Sequence, residues 1–188
     1  MGARLTLLAL LAVSCPGCAL FVTVPPLDPL PKRKVRLEAV RYTPQTESWD
    51  CGPACLASVM RHHGSPLTLG QVKAQLKQRT GGGTIIVEMI YGARKNGFRC
   101  GMLDGGINTL RRSIHAGKPL ILFIHPTPAI VKYTGRRRGH YVVAVGYDDD
   151  EREAIIHSGE TAFDTMSYRQ LQLQWGRADF LTLLIEKK

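Results

Sequence analysis

The chain has 188 residues, 44% of them hydrophobic and 21% charged, with a formal net charge of +10 at pH 7. This is the balance of a globular protein rather than a disordered one, and without its N-terminus about 150 residues remain, enough for one core but not two. The charge falls in separate clusters, Arg111-Arg112, Arg136-Arg137-Arg138 and Lys187-Lys188, with little aromatic interleaving. That pattern excludes the concentrated basic face of a nucleic-acid reader and suits an acidic surface or substrate instead.

Residues 1–17 read as a secretory signal, with Arg4 as the positive start and residues 5–13 as the apolar stretch. Ser14-Cys15-Pro16-Gly17-Cys18-Ala19 resembles a bacterial lipobox, in which a cysteine after a small residue is acylated. Cys18 leaves a signal of more usual length, whereas Cys15 follows the better-matching Ala12-Val13-Ser14; Cys18 is favoured and Cys15 stays open. Plain cleavage or an uncleaved anchor are the alternatives. Residues 18–35 then form the expected lipid anchor and tether. Pro25, Pro26, Pro29 and Pro31 keep it extended, and Lys32-Arg33-Lys34 is either solvated or drawn to an anionic membrane.

The domain is expected over residues 36–188. Alternation predicts a strand over 36–42. A largely apolar helix follows over 53–63, of the kind that is buried on most sides, and Gly64-Ser65-Pro66 ends it. Thr68 with Gln71 is a capping box for a helix over 69–78, and 84–95 reads as a third helix stopped by Asn96-Gly97. A short strand over 98–103 and a helix over 107–115 come next. Then short β-type runs follow at 119–125, 140–147 and 154–158, with a turn at 148–152. A short helix near 168–175 precedes a last strand at 180–186. The fold class is α+β, helices first and a mainly antiparallel sheet after them. Gly81-Gly82-Gly83-Thr84 lacks the lysine of a phosphate-binding loop, so no ATP site is expected, and no second apolar run is long enough to span a bilayer.

The chemistry concentrates in Gln45-Thr46-Glu47-Ser48-Trp49-Asp50-Cys51-Gly52-Pro53-Ala54-Cys55-Leu56 and in Gly139-His140-Tyr141-Val142-Val143. A cysteine that opens a helix meets unsatisfied amide donors and a partial positive charge, which lower a thiol pKa. Gln45, six residues earlier, offers a side-chain amide to an oxyanion forming over that thiolate. His140, at the start of a β-type run, is placed to act as base and then as acid. Each residue also has a structural role open to it: Cys51 as a buried thiol, Cys55 and Cys100 as core. His62, His63 and His115 lie at helix ends and cap them. His125 closes a strand and lines the cleft at most. Disulfides Cys51–Cys55 or Cys55–Cys100 remain open, and no metal-ligand spacing is seen, so no metal or cofactor is expected.

The segments 45–60 and 140–148 resemble the bacteriocin-processing, double-glycine-leader peptidases of the papain-like clan, and within them a free-standing lipoprotein branch with Gln-x5-Cys-Gly-Pro-Ala and His-Tyr-x-Val-x-x-Gly-Tyr-Asp. The resemblance covers residues 36–186 and implies a cysteine peptidase, with Cys51 as nucleophile, His140 as base and Gln45 as oxyanion donor. It implies a peptide substrate in a cleft lined by Trp49, Gly52 and Tyr141. A monomer in the bacterial envelope is expected, lipid-anchored at the periplasmic face of the outer membrane. In the exporter peptidases a downstream aspartate orients the imidazole. Here His157 or Ser158 occupies that slot, Ser158 offering a hydroxyl without charge. Glu160 and Asp164 are carboxylates at the wrong spacing. Two other classes stay open: a peptide-binding domain with an inert cleft, and a thiol acyltransferase or amidase on the same fold.

Overall fold

A computed structural model describes residues 22–76, 83–135, 138–159 and 161–188. The signal segment with Cys15 and Cys18, Gly81-Gly82, Arg136-Arg137 and Glu160 lie outside the described residues. In chain order the elements are β1 (Lys34–Arg36), α1 (Cys51–His62), α2 (Leu69–Gln75), α3 (Ile86–Lys95), β2 (Phe98–Leu103), α4 (Ile107–His115), β3 (Leu120–Ile124), α5 (Pro128–Thr134), β4 (His140–Asp148), β5 (Glu153–His157), β6 (Asp164–Ser167), α6 (Tyr168–Gly176) and β7 (Thr182–Lys187).

The strands form one antiparallel sheet in the order β2-β7-β3-β4-β5-β6, with β1 pairing on β4. Helices cover both faces. Residues of one strand alternate between them: Val143 and Val145 pack with α1, α2 and α3, while Val142 and Ala144 pack with α4 and α6. A strand covered on both sides reads as an unbroken apolar run, which is why 141–147 shows almost no polar alternation. α1 is buried from Cys51 to Met60, as its all-round apolar sequence requires. The capping box of α2 forms, with Gln71 N–H donating to Thr68 Oγ1 at 3.3 Å and Thr68 N–H to Gln71 Oε1 at 2.9 Å.

Three expectations need correction. The strand expected over 36–42 is Lys34–Arg36; beyond it the chain turns, with Val40 N–H donating to the Leu37 carbonyl at 3.0 Å, and the apolar spacing buries Leu37 and Val40 through that turn. β6 and α5 were not anticipated. The first owes its form to pairing with β5, and the second is opened by Thr127-Pro128 and closed by Gly135 at φ 69°.

The third concerns the tether. Val24, Leu27 and Leu30 pack against the core cluster of α4 and β4. Asn108 brackets the segment, its Oδ1 accepting from Asp28 N–H at 3.0 Å and its Nδ2 donating to the Pro26 carbonyl at 2.9 Å. Arg111 donates to the Asp28 carbonyl at 2.8 Å, and Tyr147 Oη to the Lys32 carbonyl at 2.7 Å. Residues 24–33 are extended, as four prolines dictate, but they are a strap docked on the domain rather than a free spacer. Arg33 and Lys34 pair with Asp150 and Asp148 at 2.6 and 2.7 Å, so the basic cluster is largely neutralised within the molecule.

Candidate active site

Cys51 is the first residue of α1 and only 8% exposed. Three backbone amides, those of Tyr141, Gly52 and Cys51 itself, are placed to stabilise its sulfur as an anion. Burial nevertheless dominates and pushes the thiol pKa up, and the neighbouring Asp50 carboxylate adds to the rise. Burial thus opposes the lowering expected of a helix-initial thiol. Gly52 is required by close approach, since a Cβ there would stand 3.1 Å from Thr84 Cβ, 3.3 Å from Met89 Sδ and 3.4 Å from Tyr141 Cδ2. The thiol opens on a cleft of about 600 Å³ that Trp49, Thr84, Phe123, His125, Arg138 and Tyr141 help to line. Tyr141 packs on Phe123 with ring centroids 4.6 Å apart.

His140 begins β4. Its Nε2 lies 2.6 Å from the backbone carbonyl of Ser158. A carbonyl only accepts, so Nε2 carries the proton and Nδ1 is the basic atom of the neutral ring. The orienting position is the one expected from sequence, but the group that fills it is a main-chain oxygen and not the Ser158 hydroxyl. His157, the other occupant considered, points the opposite way: its Nε2 meets the Val40 carbonyl at 2.8 Å and its Nδ1 accepts from Phe163 N–H at 3.1 Å. Asp164 lines the same cavity as His140, with its Oδ1 accepting from Thr165 N–H at 2.9 Å.

Gln45 reaches the imidazole through Gly159. Gln45 N–H donates to the Gly159 carbonyl at 3.4 Å, and a Cβ on Gly159 would stand 2.7 Å from Gln45 Oε1 and 3.2 Å from His140 Cε1. Gly159 adopts φ 84°, so both its backbone and its missing side chain serve this contact. Tyr42 Oη donates to the same carbonyl at 2.6 Å.

The predicted residues thus fall into two groups at one end of the sheet. Cys51, Trp49 and Tyr141 face the larger cleft, whereas Gly52, expected there too, is buried against Thr84, Met89 and Tyr141 instead. His140 and Ser158 line a second cavity, about 220 Å³, on the other side of β4, and Gln45 sits beside the imidazole. Strand parity explains the division, since His140 shares the side of Val142 and Tyr141 that of Val143. The Tyr141 N–H, in the peptide that joins it to His140, faces the sulfur. Arg138 lines both spaces.

His125, weighed only lightly from sequence, does line the thiol cleft. Thr84, Phe123 and the pairing of buried Asp50 with half-buried Lys73 escaped notice, because tertiary packing brings them together and no local pattern marks them. Cys51, Cys55 and Cys100 are free thiols. Among the described residues no three His, Cys, Asp or Glu side chains converge as a metal site, and no helix is long and apolar enough to cross a membrane.

A helix-initial cysteine facing an antiparallel sheet whose strand starts with histidine defines a papain-like cysteine peptidase. The chain belongs to the peptidase C39 family, whose model matches residues 39–187. Among solved structures it is similar to the peptidase domain of Streptococcus ComA, a bi-functional ABC transporter involved in a quorum-sensing pathway, with 24% identity and a TM-score of 0.64 over 79% of this chain and 99% of that one. A double glycine motif protease from an AMS/PCAT transporter, solved in complex with a leader peptide, is 17% identical with a TM-score of 0.61, over 82% of this chain and 95% of that one. Xylellain, a cysteine protease from Xylella fastidiosa, is 14% identical with a TM-score of 0.62, over 84% and 87%. A search of curated proteins by sequence finds no match.

Proposed function

We propose that this peptidase hydrolyses peptide bonds with Cys51 as nucleophile, His140 as base and acid, and Gln45 with the Cys51 amide as oxyanion donors. His140, carried at the head of β4, takes the thiol proton on Nδ1 once its ring turns round the strand end toward Cys51, and the thiolate adds to the substrate carbonyl. The tetrahedral oxyanion is held by N–H donors until the C–N bond breaks and the imidazolium protonates the leaving amine. Water, deprotonated by the imidazole, then cleaves the thioester. The observation that carries this reading is the Cys51 sulfur at the head of α1 within reach of the Tyr141 N–H, next to His140. A peptide substrate is supported by the similar double glycine motif protease, which was solved with a leader peptide. Full-length protein should cleave peptides, with losses on the order of a thousandfold or more in Cys51→Ala and His140→Ala. Unchanged turnover in either variant sinks the assignment.

A second reading, a peptide-binding domain with a weak catalytic centre, is favoured by one observation: the imidazole is oriented by a carbonyl rather than a carboxylate. Peptide affinity retained in Cys51→Ala without measurable wild-type turnover would select it.

Attachment to the membrane through an acylated Cys18, or Cys15, completes the proposal and places the domain in the bacterial envelope. Two acyl chains make such attachment stable. Labelling cells with an alkynyl fatty acid should tag the wild type and not Cys18→Ser. Loss in Cys15→Ser alone would move the assignment to that residue.

A further inference from the structure

Asp50 immediately precedes the thiol, and its carboxylate is fully buried. A carboxylate leaves water only where hydrogen bonds and an opposite charge replace its hydration. Three donors converge on Asp50 Oδ2: Thr46 Oγ1 at 2.6 Å, the Glu47 N–H at 3.0 Å and Lys73 Nζ at 2.6 Å. Lys73 Nζ also donates to Thr46 Oγ1 at 3.1 Å. Asp50 is the N-cap of α1 by position, yet its side chain makes no capping bond to the helix. The carboxylate instead faces back along the loop and across to α2, while the Asp50 carbonyl accepts the Ala54 N–H at 2.9 Å. One residue therefore joins the loop that follows Gln45, the first turn under Cys51, and α2.

This arrangement carries an electrostatic consequence. A negative charge beside the sulfur opposes thiolate formation, and Lys73, whose side chain is 27% exposed, brings an opposite charge into a hydrogen bond with it. We infer that Lys73, acting through Asp50, is a positioning residue of the thiol site: the pair clamps the segment that carries Cys51 to α2 and cancels the field of the carboxylate at the sulfur. The inference rests on Cys51 being the nucleophile. Among the described residues the other titratable groups around the thiol are His140, its proposed base, Cys55 one turn deeper, Tyr141 on β4 with Glu88 of α3 acting on it, and His125 and Arg138 across the cleft. None belongs to the pair, so all stay constant across a Lys73 and Asp50 series.

The test is the rate of iodoacetamide labelling at Cys51, located by peptide mass in reduced full-length protein, from about pH 5 to about pH 10. Lys73→Met should label about tenfold more slowly near neutral pH, its inflection moved upward, because the carboxylate beside the sulfur then lacks this cation. Lys73→Arg should restore the wild-type profile. Asp50→Asn should move the inflection downward, and Asp50→Asn/Lys73→Met should lie between the single variants. A merely structural clamp predicts something else, namely that every variant departs from wild type in the same direction. That result, or an inflection unmoved in Lys73→Met, overturns the inference. Should Lys73→Met not fold, Asp50→Asn and the double variant carry the test, since neither leaves the Asp50 carboxylate without Lys73; equal inflections in those two would also overturn it. A wild-type Cys51 that labels no faster than Cys55 or Cys100 at any pH defeats the nucleophile assignment itself, and the inference falls with it.

Discussion

At His140 the geometry separates two roles that the sequence merges in Ser158. The ring proton goes to the Ser158 carbonyl, so the hydroxyl is dispensable and the backbone conformation is not. Ser158→Ala should change kcat/KM by less than about threefold, because no hydrogen bond seen in the structure is removed. Gly159→Ala should lower it by about tenfold or more, since a residue with Cβ at this φ of 84° is strained by roughly 1–2 kcal/mol and its methyl lands on Gln45. Steady-state peptide hydrolysis reads both. A collapse in Ser158→Ala would return the hydroxyl to the site. Cys51, His140 and Gln45 stand out in the sequence because the roles proposed for them, nucleophile, base and donor, call for fixed chemical types in a fixed order. The orienting group does not, because a main-chain oxygen leaves no mark on residue identity.

Among the elements, those with strong local signals formed where periodicity and caps placed them: α1 from its apolar run, α2 from its capping box, α4 from its stripe of Ile107, Leu110 and Ile114. The misjudged ones depend on partners distant in sequence. Leu27 and Leu30 gave no sign that a proline-rich segment would dock, because the polar anchors lie on α4 and on the β4–β5 turn. There Arg111 donates to Asp149 at 2.8 and 2.5 Å with both side chains almost fully buried, and Tyr168 Oη donates to the same carboxylate at 2.7 Å. Breaking a buried pair leaves a charge without water or counter-ion, so Arg111→Ala should cost about 3–5 kcal/mol and expose residues 24–33 to limited proteolysis. Arg33→Ala, which removes an exposed partner of Asp150, should leave the denaturation midpoint unchanged. Equal effects from the two variants would show that the strap is held by its apolar contacts alone.

On the scale of the whole molecule, the net charge of +10 matters less to folding than where titratable groups are buried. His157 is 2% exposed, and burial holds its pKa below the ordinary 6.5. His63 is shifted the same way, by burial first and by His62 second. Both are bases depressed in the folded state, so below the ordinary histidine pKa the unfolded chain binds protons that the folded one does not. Their contribution to stability is therefore complete above 6.5 and declines as pH falls from there toward the folded values. Protonating His157 would also force Nδ1 to abandon the Phe163 N–H. Asp148 works in a lower window: its hydrogen bond to Lys34 holds its pKa below 3.8, and that contribution is lost as pH drops through the folded value. Urea denaturation across this range should show stability flat near pH 8 and declining below 6.5, with a further loss at the acid end. His157→Gln should flatten the upper decline, and His63→Gln should remove part of what remains. An upper decline unaltered in both variants would assign it to other groups and refute the role of the buried imidazoles.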